Sequence, residues 1–242
     1  MVETAQAGHN FLDPFLKAGL FAQIILVLLF LGSVVTWAII IRKWRTIARA
    51  RRDTRQFLGL FSQTQSLANC EPLCRQFRNS PLSALLLSGI KEWKGLETQV
   101  QKTDAGRALL QQLIPNVAEA MERSASREYD RLESSLPFLA VTTMVAPFLG
   151  LLGTVQGVLT TFLALRGEQL PTLQLIAPGI SDALVTTVMG LLVAIPAAFF
   201  YNYFVGRVKD LGSEMERFVS ELVGVFRKES VLSPLNRTNA GQ

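Results

Sequence analysis

Three long apolar runs organise this chain: residues 18–41, 136–165 and 176–205. The first two carry no charge and the third only Asp182. Roughly 20 apolar residues suffice to cross the hydrocarbon core of a bilayer, so the pattern predicts three transmembrane helices in an all-α membrane protein. The remaining segments are then an N-terminal stretch 1–17, a region 42–135, a short loop 166–175 and a C-terminal stretch 206–242.

The second and third runs are sided. At about 100° per residue, Thr143, Gly150, Gly153, Thr154, Gly157, Thr161 and Ala164 share one face of the second helix. Phe148, Leu151, Leu152, Val155, Leu159 and Phe162 take the other. In the third helix Gly179, Ala183, Thr186, Thr187, Gly190, Ala194 and Ala197 fall together, opposite Leu184, Val185, Val188, Leu192, Ile195 and Phe199. Small faces let helix backbones approach closely in lipid, so Gly150, Gly153, Gly157 and Gly190 read as packing residues. The bulky faces are expected to meet lipid or neighbouring helices. Pro147, Pro178 and Pro196 remove backbone donors within these helices and read as kinks, joints or polar lining. Gln156 points away from the small face and is given no role there.

Region 42–135 reads as helical. Phe57, Leu58, Leu60, Phe61 and Leu67 make an amphipathic start; Asn79-Ser80-Pro81 then punctuates the chain before a helix through Leu85, Leu86, Ile90 and Trp93, with Pro81 in its first turn. A loop is expected around 95–104. From Asn116, the spacing of Val117, Met121, Ala125, Tyr129, Leu132 and Leu136 predicts one long helix that becomes the second span, bent at Pro137 or Pro147 if anywhere. The third span is expected to continue through Val208, Leu211, Met215, Phe218 and Val219 to about Phe226, ahead of a disordered tail after Ser230. The 42–135 stretch alone is too short and polar to promise a rich core.

Charge sets the orientation. Arg42, Lys43, Arg45, Arg49, Arg51, Arg52 and Arg55 crowd the far end of the first span, against Lys17 before it. By the positive-inside rule the N-terminus lies outside the cytoplasm, and the 42–135 region and the C-terminus inside. Arg42, Lys43 and Arg45 form the membrane-flanking basic edge. The apolar run is too long for a signal-peptide core and no small-residue cleavage site follows it. The net charge of +5 and pI near 9.5 are thereby explained by topology and anionic lipid, which leaves nucleic acid little claim. Positive mean hydropathy, +0.30, agrees with the membrane reading.

Chemistry is limited by inventory. His9 is the single histidine, so one chain assembles neither a Ser-His pair nor a histidine-based metal site. Cys70 and Cys74 flank Pro72 without a second pair and read as free, buried small hydrophobes. No glycine near Gly150 is followed by the lysine of a phosphate-binding loop. No enzyme, metal or organic cofactor is expected.

Three motifs stand out: Ala146-Pro-Phe-Leu-Gly-Leu-Leu-Gly-Thr-Val-Gln-Gly157, Ala177-Pro-Gly-Ile-Ser-Asp-Ala-Leu-Val-Thr-Thr187 and Ala194-Ile-Pro-Ala-Ala-Phe-Phe-Tyr-Asn202. With them the chain resembles the MotA/TolQ/ExbB proton-channel family, from the first span to about residue 228. The opening Phe11-Leu-Asp-Pro-Phe-Leu-Lys-Ala and the run Trp37-Ala-Ile-Ile-Ile look more like the TolQ branch than the ExbB one. The resemblance implies a homopentameric sleeve in the bacterial inner membrane around a smaller TolR/ExbD-like partner, whose single transmembrane Asp carries protons. It also implies a TolA/TonB-like protein that receives force, in a Tol-Pal, TonB-energising or gliding-motility system. Protons would be the coupling ion. Residues matching the family's pore-lining threonines are Thr154 and Thr187, with Asp182 and Thr186 beside them. Asp182, Thr186 and Gln156 depart from the Glu, Ala and Trp common in the family.

Each position also has a plain structural reading. Thr154 and Thr187 could bond back to their own helix carbonyls, and Asp182 could favour the start of its helix. A membrane scaffold that assembles through its glycine faces without conducting is the rival of another class; a self-sufficient channel would need more titratable groups than one intramembrane carboxylate per chain.

Overall fold

The computed structural model describes residues 19–63, 70–100, 110–167 and 173–232. Lys17, His9, Leu67, the 101–104 part of the expected loop and the tail beyond 232 lie outside them. The described elements are helical: α1 (Leu20–Phe61), α2 (Cys70–Gln76), α3 (Pro81–Val100), α4 (Ile114–Glu133), α5 (Leu136–Ala164), a 3₁₀ turn (Leu165–Gly167) and α6 (Leu173–Leu232). Three stretches are long and apolar enough to span a membrane: Leu20–Phe61, Leu110–Ala164 and Ile176–Ser230. The chain divides into two units, Met1–Ile41 with Ser135–Tyr203, and Arg42–Ser134 with Phe204–Gln242.

In the first unit, α5 and α6 pack on each other and α1 packs on the pair. Ile25 and Leu29 of α1 cluster with Ala146, Val193 and Ala194, flanked by Leu149 and Met189. Further along, Trp37 meets Phe200 edge to face at 6.2 Å, so α1 and α6 run parallel here. The bulky faces point outward, with Phe148 67% and Phe199 65% exposed. Such surface is natural in lipid, where no hydrophobic force drives it inward. Thr36, in the first apolar run, is buried, and its Oγ1 has no hydrogen-bond partner among the described residues. Sequence reading passed it over.

The expected continuous helix from Asn116 into the second span is interrupted. Ser135 adopts a left-handed conformation, φ 71°, and Pro137 opens the first turn of α5. A proline there has no amide proton for the Glu133 carbonyl, and its ring crowds that oxygen. The Ser134 amide and hydroxyl close off α4 on the carbonyls of Asp130 and Arg131, at 2.9 and 2.7 Å. Pro147, by contrast, sits inside α5, and Pro178 and Pro196 inside α6, without ending either helix.

The second unit has a larger core than the 42–135 sequence promises. Phe57, Leu85, Leu86, Trp93, Val117 and Met121 are joined there by Met215, Phe218, Val219, Leu222 and Phe226. The 42–135 segment does not fold around itself alone: α6 returns an amphipathic helix from far along the chain and supplies the missing apolar face. The expected loop at 95–104 is also corrected, since α3 runs on to Val100. Leu96 and Val100 extend the buried stripe of Ile90 and Trp93, while Gly95 faces open space. The Asn79-Ser80-Pro81 punctuation is anchored on α1, where Asn79 Nδ2 donates to Asp53 at 3.0 Å and the hydroxyls of Thr54 and Ser80 lie 3.1 Å apart.

Helix α2 went unread in the sequence. It buries Cys70 and Cys74 as free thiols, and burial pushes Cys74 up to about 12. A thiol so protonated is a poor nucleophile and metal ligand. Glu71 on the same helix accepts from Lys94 at 2.7 Å and Arg75 at 2.9 Å, and these donors hold its carboxyl below the usual range.

Of the basic edge, Arg42 and Arg45 are exposed, whereas Lys43 is buried in line with Ile47, Ala50, Thr54 and Phe57. Burial, then the neighbouring Arg42 charge, lowers Lys43 to about 8. The unfolded value is near 10.4, so between these values the unfolded chain binds more protons and stability rises with pH. The penalty for the charged form is fully present below about pH 8. Lys43→Met is therefore expected to stabilise the protein at neutral pH and to flatten the rise from pH 8 towards 10. Denaturation of both proteins across that range checks it.

Candidate functional site

The small faces of α5 and α6 meet within one chain, as an antiparallel ladder. A Cβ at Gly190 would lie 2.6 Å from the Ala146 carbonyl oxygen and 3.2 Å from Gly150 Cα. One at Gly150 would reach the Thr186 carbonyl oxygen and Thr187 Cα, both at 2.9 Å. Gly153 faces the Thr186 side chain, Gly157 faces Ala183, and Gly179 faces Thr161. Every contact runs up one helix as it runs down the other. Close approach of this kind requires glycine, because the opposing atoms at Gly150 and Gly190 are backbone and cannot move aside.

At the middle of the ladder, two hydroxyls converge on one carbonyl. Thr187 Oγ1 donates to the Gly150 oxygen at 3.1 Å, across the helix pair. Thr186, fully buried, reaches the same oxygen at 3.1 Å and its own-helix Ala183 oxygen at 2.7 Å. Its single proton serves one of them at a time. Thr187 therefore departs from the plain reading of a back-bonded threonine, while Thr154 follows it, donating to the Leu151 carbonyl at 2.7 Å. Both Thr154 and Thr187 are half-buried and border the Gly150 contact.

Asp182 is half-buried one helical turn before Thr186, on the same side of α6. Pro147 precedes Gly150 by less than a turn; it denies the Thr143 carbonyl its helical donor, as Pro196 does for Leu192. Pro178 lies a turn before Asp182. The structure thus brings Gly150, Gly153, Gly157, Gly190, Thr186 and Thr187 into one seam, with Thr154, Asp182 and the prolines at its margins. Arg42, Lys43 and Arg45 belong to the second unit. Ala164, expected on the small face, is exposed instead. Ala146 was missed among the face residues, although it stands four before Gly150 and so one turn along the same stripe.

Among the described residues no group of His, Cys, Asp and Glu is arranged to hold a metal ion. What the seam offers is hydroxyls, backbone carbonyls and one carboxylate in apolar surroundings. Such groups accept and donate protons in hydrogen bonds without covalent chemistry.

Comparison with known proteins agrees with this chemistry. Residues 79–217 match the MotA/TolQ/ExbB proton channel family. The chain is 35% identical to the Tol-Pal system protein TolQ of Haemophilus influenzae over 226 residues, 93% of this chain and 96% of that protein. It is 32% identical to TolQ of Pseudomonas aeruginosa over 219 residues, 88% and 90% of the two chains. Biopolymer transport protein ExbB of Pseudomonas putida is 28% identical over 188 residues, 78% of this chain and 54% of that one. With more than half its length matched, and relatives aligned nearly end to end, this chain belongs to the MotA/TolQ/ExbB proton channel family.

Proposed function

We propose that the protein is the inner-membrane subunit of a Tol-Pal-type motor that couples proton flow to mechanical work on the cell envelope. The observation that carries this reading is the near full-length likeness to two TolQ proteins. ExbB proteins align over a smaller share of the chain, which makes a TonB-energising role the second reading. In the proposed assembly five copies form a sleeve, with the N-terminus periplasmic and the C-terminus cytoplasmic, as the basic edge after the first span favours. A TolR/ExbD-like single-span partner brings the proton-carrying Asp, and a TolA/TonB-like protein receives the force.

Protons are the coupling ion and no organic cofactor takes part. A carboxylate in low dielectric prefers its neutral form, so carrying it past the sleeve in ionised form requires donors. Thr154 and Thr187 are assigned that role. Each hydroxyl can turn from a helix carbonyl to a passing carboxylate at the cost of about one hydrogen bond, ~0.5–1.5 kcal/mol. Asp182 is assigned to proton entry, and Thr186 to the lining of the path beside Thr187. The potential supplies about 2.3 kcal/mol per charge per 100 mV, enough for such exchanges and too little for a large stroke per proton.

Thr187→Ala and Thr154→Ala are expected to assemble with the partner as the parent does while losing most proton flux. Flux into liposomes containing the purified complex, with subunit composition read by mass spectrometry, tests this. Unchanged flux in both variants would remove the threonines from the path; flux from this chain without any partner would favour a self-sufficient channel.

A further inference from the structure

The second unit contains a polar cavity of about 390 Å³ lined by Arg51 and Arg55 of α1 and by Lys209, Asp210, Ser213, Glu214 and Arg217 of α6. Four cations face two carboxylates. Asp210 is already shared between Arg51 at 3.5 Å and Arg207 at 3.6 Å, both long contacts. Among the described residues Arg55, Lys209 and Arg217 make no ion pair. A cavity with surplus, geometrically gathered cations and a hydroxyl is chemistry for a phosphate group.

Its position selects the source. Lys209 is four residues past Val205, where the third apolar run ends, or about 6 Å along the helix. The headgroup layer is about 5–7 Å deep on each side of the hydrocarbon. Arg51 and Arg55 follow Arg42, the first base after the first apolar run, by nine and thirteen residues. With Arg217, twelve residues past Val205, they stand about 15–21 Å beyond the apolar runs and form the aqueous end of the cavity, with Lys209 at its membrane end. We infer that this cavity holds the phosphate of an anionic phospholipid of the surrounding leaflet, clamped between α1 and α6. This is a site of defined residues, distinct from a general attraction of the Arg42–Arg55 run to the membrane surface, and it stands whether or not the motor reading does.

The full chain in detergent, titrated with phosphatidylglycerol or phosphatidylcholine and read by native mass spectrometry, tests the assignment. Each basic residue near a membrane surface is worth about fivefold in affinity, so phosphatidylglycerol is expected to bind at least about tenfold more tightly than phosphatidylcholine. The Arg55→Ala/Lys209→Ala/Arg217→Ala variant should lose that preference, while Arg49→Ala/Arg52→Ala/Lys228→Ala, whose exposed bases lie outside the cavity, should keep it. Equal loss in the two triple variants would overturn the site in favour of diffuse attraction. Displacement of the lipid by inorganic phosphate in excess would overturn it in favour of a soluble anion. If the first triple variant does not fold, Lys209→Gln alone is expected to weaken phosphatidylglycerol binding about fivefold, and no change would equally refute the clamp.

Discussion

Gly190→Val will separate α5 from α6. The first added carbon would stand 2.6 Å from the Ala146 carbonyl oxygen and about as close to the Gly150 backbone as van der Waals surfaces forbid, at 3.2–3.3 Å. Backbone has no rotamer to escape into, so the helices must part, and the Thr186 and Thr187 bonds to the Gly150 oxygen lengthen with them. Overpacking costs about 1–3 kcal/mol, occasionally more, and losing cross-helix hydrogen bonds in lipid adds about 0.6 kcal/mol each. Thermal unfolding in detergent should fall sharply, and assembly with it. Gly224→Ala is the matched control, because a Cβ there meets nothing; replacing a helical glycine should stabilise by roughly 0.5–1 kcal/mol. A Gly190→Val protein as stable as the parent would mean that the small faces do not pack on each other in the membrane.

That seam was legible because glycine and alanine at helical spacing are hard to explain otherwise, and the antiparallel order of two adjacent helices follows from the short loop between them. Its chemistry was less so. Periodicity places Thr154 and Thr187 on small faces alike, yet cannot tell which hydroxyl crosses to the other helix; that depends on the register between α5 and α6, fixed by which glycine meets which backbone. Ala164 lies beyond the last contact of the ladder, where a small residue has nothing to pack on. The edge of the first span was read from charge at Arg42, but α1 continues to Phe61, since leaving lipid gives a backbone no reason to unwind. Lys43 was legible as a basic flank and not as a buried one, because a charge run marks a membrane edge without saying which of its members face inward. The Ser134–Ser135 break needed only Pro137 to be weighed as a helix start, with its missing donor, in place of a bend.

Phe57→Ala and Phe226→Ala should each unfold the second unit under mild conditions. Phe57 is fully buried, stacked on Phe61 at 5.8 Å and edge-on to Phe77 and Phe218 at 6.4 and 6.0 Å. Phe226, also fully buried, lies 5.6 Å from Trp93. Truncating such a ring removes about 3–5 kcal/mol, against a total stability of about 5–15 kcal/mol for an ordinary domain. Limited proteolysis should then cut within 42–134 at concentrations that leave the parent intact, whereas Leu87→Ala, on a 39% exposed side chain, should change the pattern little. The sharper test removes no residue of 42–134 at all. A chain ending before Val208 loses Met215, Phe218, Val219, Leu222 and Phe226 from the core, leaving Phe57 without the Phe218 ring and Trp93 without the Phe226 ring. If the core belongs jointly to the two segments, this truncation exposes 42–134 to protease as severely as either phenylalanine variant. If 42–134 stays protected, it folds on its own, and the continuation of α6 beyond the membrane has some task other than completing that core.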